Sequence, residues 1–283
     1  MAKPLISICI PSYERLQYLE RLLESIKIQT FRDFEVIFTD DSKTENIKTF
    51  LLNYKADFPL HYYKNVPSLG TARNMLEGIK YANSNWIKII HDDDFFVDET
   101  SLGQYAAAIT TEALFVFSGY NEYLEGTNAF HDKTISQKKF KQIIERPSVL
   151  FADNLIGPPS VMMIHTSVKN TFDSKLTWFT DMEYYFRILS LGTSVYVNRP
   201  LVNISTNDTQ VTSYTRTNPS VVIPEAMYLL NKHGKDIISN IIAYDAWWRV
   251  FRNFTIRSTD NIKRYAPEYP IPNFLKKLLS HQK

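Results

Sequence analysis

Three consecutive carboxylates, Asp92, Asp93 and Asp94, follow the apolar run Trp86-Ile87-Lys88-Ile89-Ile90. An apolar run of this length predicts a strand buried in a sheet. A strand that opens into a block of acids gathers negative charges that repel one another and raise each other's pKa. A divalent cation relieves that repulsion. Asp oxygens are hard ligands that suit Mg²⁺ or Mn²⁺, and such an ion keeps positions open for the phosphates of a substrate. The plainer alternative is a solvated acidic loop that caps a helix starting near Glu99, because Asp is a common cap and turn residue.

The elements around the acids decide how to read them. Residues 5–10 read as a strand ended by Pro11. Leu16, Leu19, Leu22, Leu23 and Ile26 recur at helical spacing, which predicts a helix over 15–28. Further strands are expected over 34–39, 60–63 and 86–90, with helices over 44–54 and 71–82. Strands alternating with helices imply an α/β fold with a mostly parallel sheet covered on both faces. Ligands bind such sheets beyond the carboxyl ends of the strands. That places Pro11-Ser12-Tyr13-Glu14, Asp40-Asp41 and the acid cluster on one edge.

The second half is less regular. Strands are expected over 113–123, 161–164 and 194–197. A helix over 181–191 stops at Gly192, a common terminator. The polar stretch 128–147 reads as an excursion, and the chain from Pro224 onward as helical. There is no internal repeat and no low-complexity segment.

Composition sets the outer limits. A chain of 283 residues makes one large domain or two small ones. It can bury roughly three-quarters of its unfolded surface. The 32 basic and 30 acidic residues nearly cancel, so there is no strong electrostatic case for a nucleic-acid partner. Cys9 has no second cysteine to pair with and lies in an apolar run. It is expected to be a buried thiol in a reducing, cytoplasmic compartment. No signal peptide and no apolar run of about 18 residues is visible. The 17 Tyr, 18 Phe and 4 Trp suit a core, a sugar-binding cleft or a membrane-facing surface equally.

Several blocks, taken in order, resemble the family 2 glycosyltransferases, which have the GT-A fold. They are Ile8-Cys9-Ile10-Pro11-Ser12-Tyr13-Glu14, Ser25-Ile26-Lys27-Ile28-Gln29-Thr30-Phe31, Phe34-Glu35-Val36-Ile37, Asp40-Asp41-Ser42, Gly70-Thr71-Ala72-Arg73-Asn74, the acid cluster, and Thr180-Asp181-Met182-Glu183. Each block is weak alone; their order and spacing together are specific. The resemblance implies a GT-A domain over 1–215, with a nucleotide-binding half at about 1–100 and an acceptor-binding half at about 101–215. Residues 216–283 then form a helical C-terminal extension.

It also implies transfer of a sugar from a nucleotide-sugar, expected to be a UDP-sugar, to an acceptor hydroxyl with inversion. The expected setting is bacterial surface polysaccharide such as O-antigen or capsule. A metal bridging the two phosphates stabilises the leaving group, and a carboxylate near the acceptor hydroxyl takes its proton. Asp93 is the expected metal contact, with Asp94 beside it and Asp92 for the ribose or the metal. The register is open: against Phe95-Phe96 the pattern is His91-x-Asp93, and read literally it is Asp92-x-Asp94. His91 alone reads as a strand-end histidine before it reads as a ligand.

Asp41 is expected to accept from the base, Pro11, Tyr13 and Glu14 to shape its pocket, and Arg73 to reach the base or diphosphate. Asp181 is the expected general base and Glu183 its runner-up. Many relatives carry a metal-ligating His where this chain has Asn207. That departure implies weaker metal binding, or acceptance of Mg²⁺ as well as Mn²⁺.

Two other readings compete. A nucleotidyltransferase usually needs a Gly-rich basic loop after the first strand, and residues 11–15 contain no glycine. A non-catalytic nucleotide-sugar-binding protein on the same fold needs no base, which Asp181 argues against. Residues 244–254 mix aromatics and arginines, and Lys276-Lys277 lies in an amphipathic tail. These suit packing on the domain, a second subunit of a homo-oligomer, or peripheral contact with a membrane carrying a lipid-linked glycan acceptor.

Overall fold

The structure is a computed structural model that describes residues 3–168, 172–206 and 215–280. Asn207, singled out above, lies outside the described residues.

The first half alternates as the apolar spacing predicts: β1 (Ile6–Ser12), α1 (Leu16–Lys27), β2 (Phe34–Asp40), α2 (Asn46–Asn53), β3 (Leu60–Lys64), α3 (Thr71–Tyr81) and β4 (Trp86–Ile89). β1, β2 and β4 are buried along their whole length, as expected of central parallel strands with helices on both faces. A short β5 (Phe95–Phe96) and α4 (Ser101–Ala107) follow the acids. β6 (Ala113–Leu124) leads into the excursion, which is ordered as β7 (Ala129–Lys133) and α5 (Gln137–Glu145). Then come β8 (Met162–His165), α6 (Thr180–Leu189) and β9 (Thr193–Thr206). The chain continues as α7 (Pro219–Ser239), α8 (Ile241–Asn253), α9 (Thr259–Tyr265) and α10 (Asn273–Ser280).

The strands form one mixed sheet of order β3-β2-β1-β4-β8-β6-β9-β5, with β7 paired to β6. Its β3-β2-β1-β4 part is parallel. β8 is antiparallel to both β4 and β6, while β9 runs parallel to β6 and antiparallel to β5. The register pairs Ser12 with Asp40 and Cys9 with Ile89. The carboxyl ends of β1, β2 and β4 therefore open on one edge, as the alternation implies.

β9 is far longer than the segment 194–197 suggests. Asn198-Arg199-Pro200 looks like a break in sequence. In the sheet, Pro200 sits at a register shift opposite Gly119, a place where a missing N–H is tolerated. The continuation carries Ser205 to the acid cluster.

Two apolar cores meet at α6. One fills the sheet and its covering helices. The other gathers Val222, Met227, Trp247 and Phe251 of the C-terminal helices around Phe151 and Phe179. Trp247 is buried, so its role is packing. In α10, Leu275 and Leu279 pack inward while Lys276 and Lys277 are exposed. Among the described residues no helix is long and apolar enough to cross a membrane.

Candidate active site

The acid cluster sits where β4 ends and is almost wholly withdrawn from solvent: Asp92, Asp93 and Asp94 are 4%, 4% and 2% exposed. This is not a solvated cap. Three adjacent buried acids need compensation, and the neighbours supply part of it. Arg15 Nη1 lies 2.6 Å from Asp93 Oδ2 and 3.5 Å from Asp92 Oδ1. The backbone N–H of Tyr13 donates to Asp92 at 3.1 Å, and that of Ser205 to Asp94 at 2.9 Å. Ser205 Oγ donates to the Asp93 carbonyl at 2.5 Å. Beneath them Lys88, with no solvent exposure, donates to the carbonyls of Ile89 and Ser160.

The compensation is incomplete. Burial, then the Asp93 charge, pushes the Asp92 carboxyl up to about 7 and the Asp94 carboxyl well above its ordinary value.

His91 completes a ligand set. One ligand atom from each of His91, Asp93 and Asp94 lies within 4.8 Å of the others. Two ligands on opposite sides of Mg²⁺ are about 4.2 Å apart, so a small inward movement closes the set. His91 Nε2 is buried with no hydrogen-bond partner among the described residues. A buried ring nitrogen left unpaired is costly unless something takes its lone pair or proton. Burial lowers the imidazole pKa and so favours the neutral ring, the form that ligates. The donor set of one nitrogen and two carboxylates fits Mn²⁺ or Mg²⁺. In sequence His91 reads as a strand-end histidine before it reads as a ligand; the structure brings it beside Asp93 and Asp94, in line with the His91-x-Asp93 register.

The other expected residues are placed unevenly around this centre. Pro11 is buried at the end of β1, and Tyr13 is 48% exposed, so its ring is not a core aromatic. Arg73 is exposed near the start of α3 and makes no ion pair among the described residues. Glu14, in the left-handed region at φ 56°, turns away from the cluster: it accepts from the N–H groups of Lys43 and Thr44 and from the Thr44 hydroxyl.

Asp41 carries more protein donors than expected. It accepts from Asn65 Nδ2 (2.9 Å), Ser68 Oγ (2.8 Å), Leu69 N (2.9 and 3.0 Å) and Gly70 N (2.7 Å). A carboxylate has about four acceptor sites. A base N–H would have to share or displace one of these, and what Asp41 visibly does is hold the turn that leads into α3 and Arg73. Arg15 was not singled out in the sequence at all, because an arginine opening an amphipathic helix reads as a surface residue.

Asp181 and Glu183 are separated by one helical position and have opposite environments. Glu183 has no exposure and is locked by Arg187 Nε (2.8 and 2.9 Å), Lys232 Nζ (2.7 Å) and His233 Nε2 (3.0 Å). Asp181 is partly exposed, and its carboxylate has no hydrogen-bond or ion-pair partner among the described residues. Burial without a counter-charge raises it to about 7. It does not touch the acid cluster. The turn Gly157-Pro158-Pro159-Ser160 carries Ser160, which receives the His91 N–H at 2.9 Å, and Gly157, which lies under the Tyr120 ring.

The model for glycosyl transferase family 2 matches residues 7–169. The chain belongs to that family. An uncharacterized glycosyltransferase of Rickettsia typhi is 22% identical over 214 residues, covering 74% of this chain and 66% of the relative. An abequosyltransferase of Salmonella typhimurium is 41% identical over 96 residues, covering 32% of this chain and 28% of the relative. The matches thus span less than two thirds of these relatives' own length. Among solved structures, S. aureus TarS 1–349 in complex with UDP-GlcNAc superposes with a TM-score of 0.62 at 15% identity, covering 98% of this chain and 87% of that one. A mannosyltransferase from Pyrobaculum calidifontis in complex with GDP-Man and Mn²⁺ gives 0.58 at 10% identity, covering 99% and 84%. The GT-A architecture expected from the sequence is the one shared with these structures.

Proposed function

We propose that the chain is an inverting, metal-dependent glycosyltransferase that moves a sugar from a nucleotide-sugar to an acceptor hydroxyl. The observation that carries this reading is the set of half-buried His91 with buried Asp93 and Asp94, with its unpaired ring nitrogen, at the carboxyl edge of β4. A divalent ion bound there supplies positive charge to the leaving diphosphate. Tyr13 offers an exposed ring for stacking on the base, above Pro11. Asp41 orders the turn before α3, so that Arg73 is presented to the base or diphosphate. Asp92 is left for the ribose.

Asp181 takes the proton of the acceptor hydroxyl as its oxygen attacks the anomeric carbon. An unpaired carboxylate with a pKa of about 7 suits that task. Glu183, held by Arg187, Lys232 and His233, does not. UDP-sugar is the donor we favour, since a protein with the same fold binds UDP-GlcNAc, although another binds GDP-Man. The abequosyltransferase relative favours surface-glycan synthesis, with a glycan or lipid-linked glycan as acceptor.

The test is calorimetric titration of UDP, GDP and dTDP, each with and without Mn²⁺, into wild type and Asp93→Asn. Metal-dependent binding of one nucleotide, lost in the variant, is the expected result. No binding under any condition refutes the donor site. Binding without turnover by wild type, over a panel of that nucleotide's sugars, favours a nucleotide-sugar-binding protein instead.

A further inference from the structure

The N-cap amide of α6 and the two amides ahead of it are held from far away. Glu225, on α7 and 6% exposed, accepts from the backbone N–H of Thr177 at 2.7 Å and from those of Trp178 and Phe179 at 3.0 Å each. Helix starts leave N–H groups that side chains at the start usually satisfy. Phe179, at the cap position, makes no side-chain cap. Asp181, inside the first turn, is the nearest local carboxylate, and acidic side chains are drawn to that end of a helix. Yet Glu225, more than 40 residues downstream, holds the amides, while the Asp181 carboxylate has no partner among the described residues.

Among the described residues no other charge holds Asp181. On its own helix Tyr185 lies close enough to feel the Asp181 charge, and its phenol is gathered with Tyr184, Tyr105 of α4 and Tyr120 of β6. The turn at 147–151 packed on α6 carries no ionisable side chain. From α7, Lys232 and His233 bind Glu183, as does Arg187 of α6.

We propose that Glu225 is a positioning residue: by occupying the amides ahead of α6 it keeps the Asp181 carboxylate unpaired and available to an acceptor hydroxyl. The C-terminal helices then contribute to the reaction without touching substrate. This rests on the reading of Asp181 as the base.

The experiment follows the Asp181 side-chain carboxyl ¹³C resonance against pH, identified by its loss in Asp181→Asn, in wild type, Glu225→Ala and Glu225→Gln. The pH dependence of kcat/KM is measured alongside. In Glu225→Ala the freed amides become available to Asp181. Its titration midpoint and the acid limb of kcat/KM should then fall together by about one pH unit or more, because amide hydrogen bonds favour the carboxylate. kcat should drop about tenfold with nucleotide affinity unchanged, as expected when only the transition-state proton transfer is lost.

Glu225→Gln keeps one acceptor oxygen, enough for the Trp178 and Phe179 amides but not for that of Thr177, and should show a smaller fall than Glu225→Ala. If Glu225→Ala does not fold, Glu225→Asp, whose shorter side chain reaches fewer amides, should show a smaller fall. An unchanged Asp181 midpoint in the Ala or Asp variant overturns the proposal. Full turnover by Asp181→Asn would instead sink the base reading, and the resonance would still decide whether Glu225 controls Asp181.

Discussion

Arg15 is the cation closest to the expected metal ligand, so replacing it should tighten metal binding. In the described structure its Nη1 lies 2.6 Å from Asp93 Oδ2. An ion that takes Asp93 must displace this contact or share it. A hydrogen bond between charged groups contributes about 1.5–3 kcal/mol. The Arg15 side chain keeps 21% of its exposure, which places the contact at the lower end. A contribution of about 1.5 kcal/mol corresponds to about a tenfold change in Kd. Arg15→Gln should therefore bind Mn²⁺ about tenfold more tightly than wild type when no nucleotide is present. Arg15→Lys, which keeps the charge, should stay close to wild type.

The same substitution should act oppositely on stability. Without Arg15, acids that are 2–4% exposed lose their nearest side-chain cation. The thermal midpoint in EDTA should fall by about 2 °C or more for a chain of this size, and saturating Mn²⁺ should restore it. Calorimetry with Mn²⁺ alone and thermal unfolding in EDTA read the two effects separately. An unchanged or weaker Mn²⁺ affinity in folded Arg15→Gln would refute the reasoning. It would mean that Arg15 organises Asp93 for the ion instead of competing with it.

Four more outcomes follow from the geometry. His91→Ala should weaken Mn²⁺ binding more than Mg²⁺ binding, because imidazole nitrogen favours the transition metal; equal losses in competition titrations would remove His91 from the ligand set. kcat/KM should rise with pH through about 7 and level off above, since Asp181 must lose its proton to act and burial holds its carboxyl there. The raised pKa also means that Asp181 favours the folded state when protonated, so its contribution declines between about pH 4 and 7; Asp181→Asn should gain about 1–2 kcal/mol in urea unfolding at pH 8 relative to pH 5, and no pH-dependent gain would contradict the buried, unpaired carboxylate. Gly157→Ala places a Cβ 2.7 Å from the Tyr120 ring at a backbone φ of +108°, which should cost about 2 kcal/mol of stability; a cost near zero would show that the turn can shift.

The parallel half of the fold was legible because β1, β2 and β4 are buried on both faces and its helices carry a single apolar stripe. Both patterns survive in sequence as runs and as 3.6-residue spacing. The mixed half was less legible, for reasons visible in particular residues. Pro200 breaks the strand pattern of β9 in sequence but is accommodated at a register shift opposite Gly119. The polar excursion contains β7, whose residues after Ala129 are exposed and show no alternation to read.

The site shows the same division. The acids announced themselves by being three in a row. His91 did not, because a single histidine at a strand end has many uses, and only its unpaired Nε2 beside Asp93 and Asp94 separates them. Arg15 and Ser205 reach the cluster across 78 and 112 residues of chain, a proximity that no local pattern encodes.

Asp181 and Glu183 show how little residue type decides about role. Both are carboxylates in the first turn of α6, and either could serve as a base by spacing alone. Their difference is made by the helix that follows β9 in the described chain. α7 sends Lys232 and His233 to Glu183, which fixes that carboxylate as an ion-paired brace between helices. The same helix sends Glu225 to the amides ahead of α6, and we propose above that this is what leaves Asp181 unpaired. One carboxylate is thus held in its charged form by its neighbours, and burial without a counter-charge pushes the other toward its neutral form. On that proposal a C-terminal segment that could have been read as an appendage shapes the protonation of the acidic residues at the start of α6, and truncating it should abolish turnover even if the β1–β4 donor half stays folded.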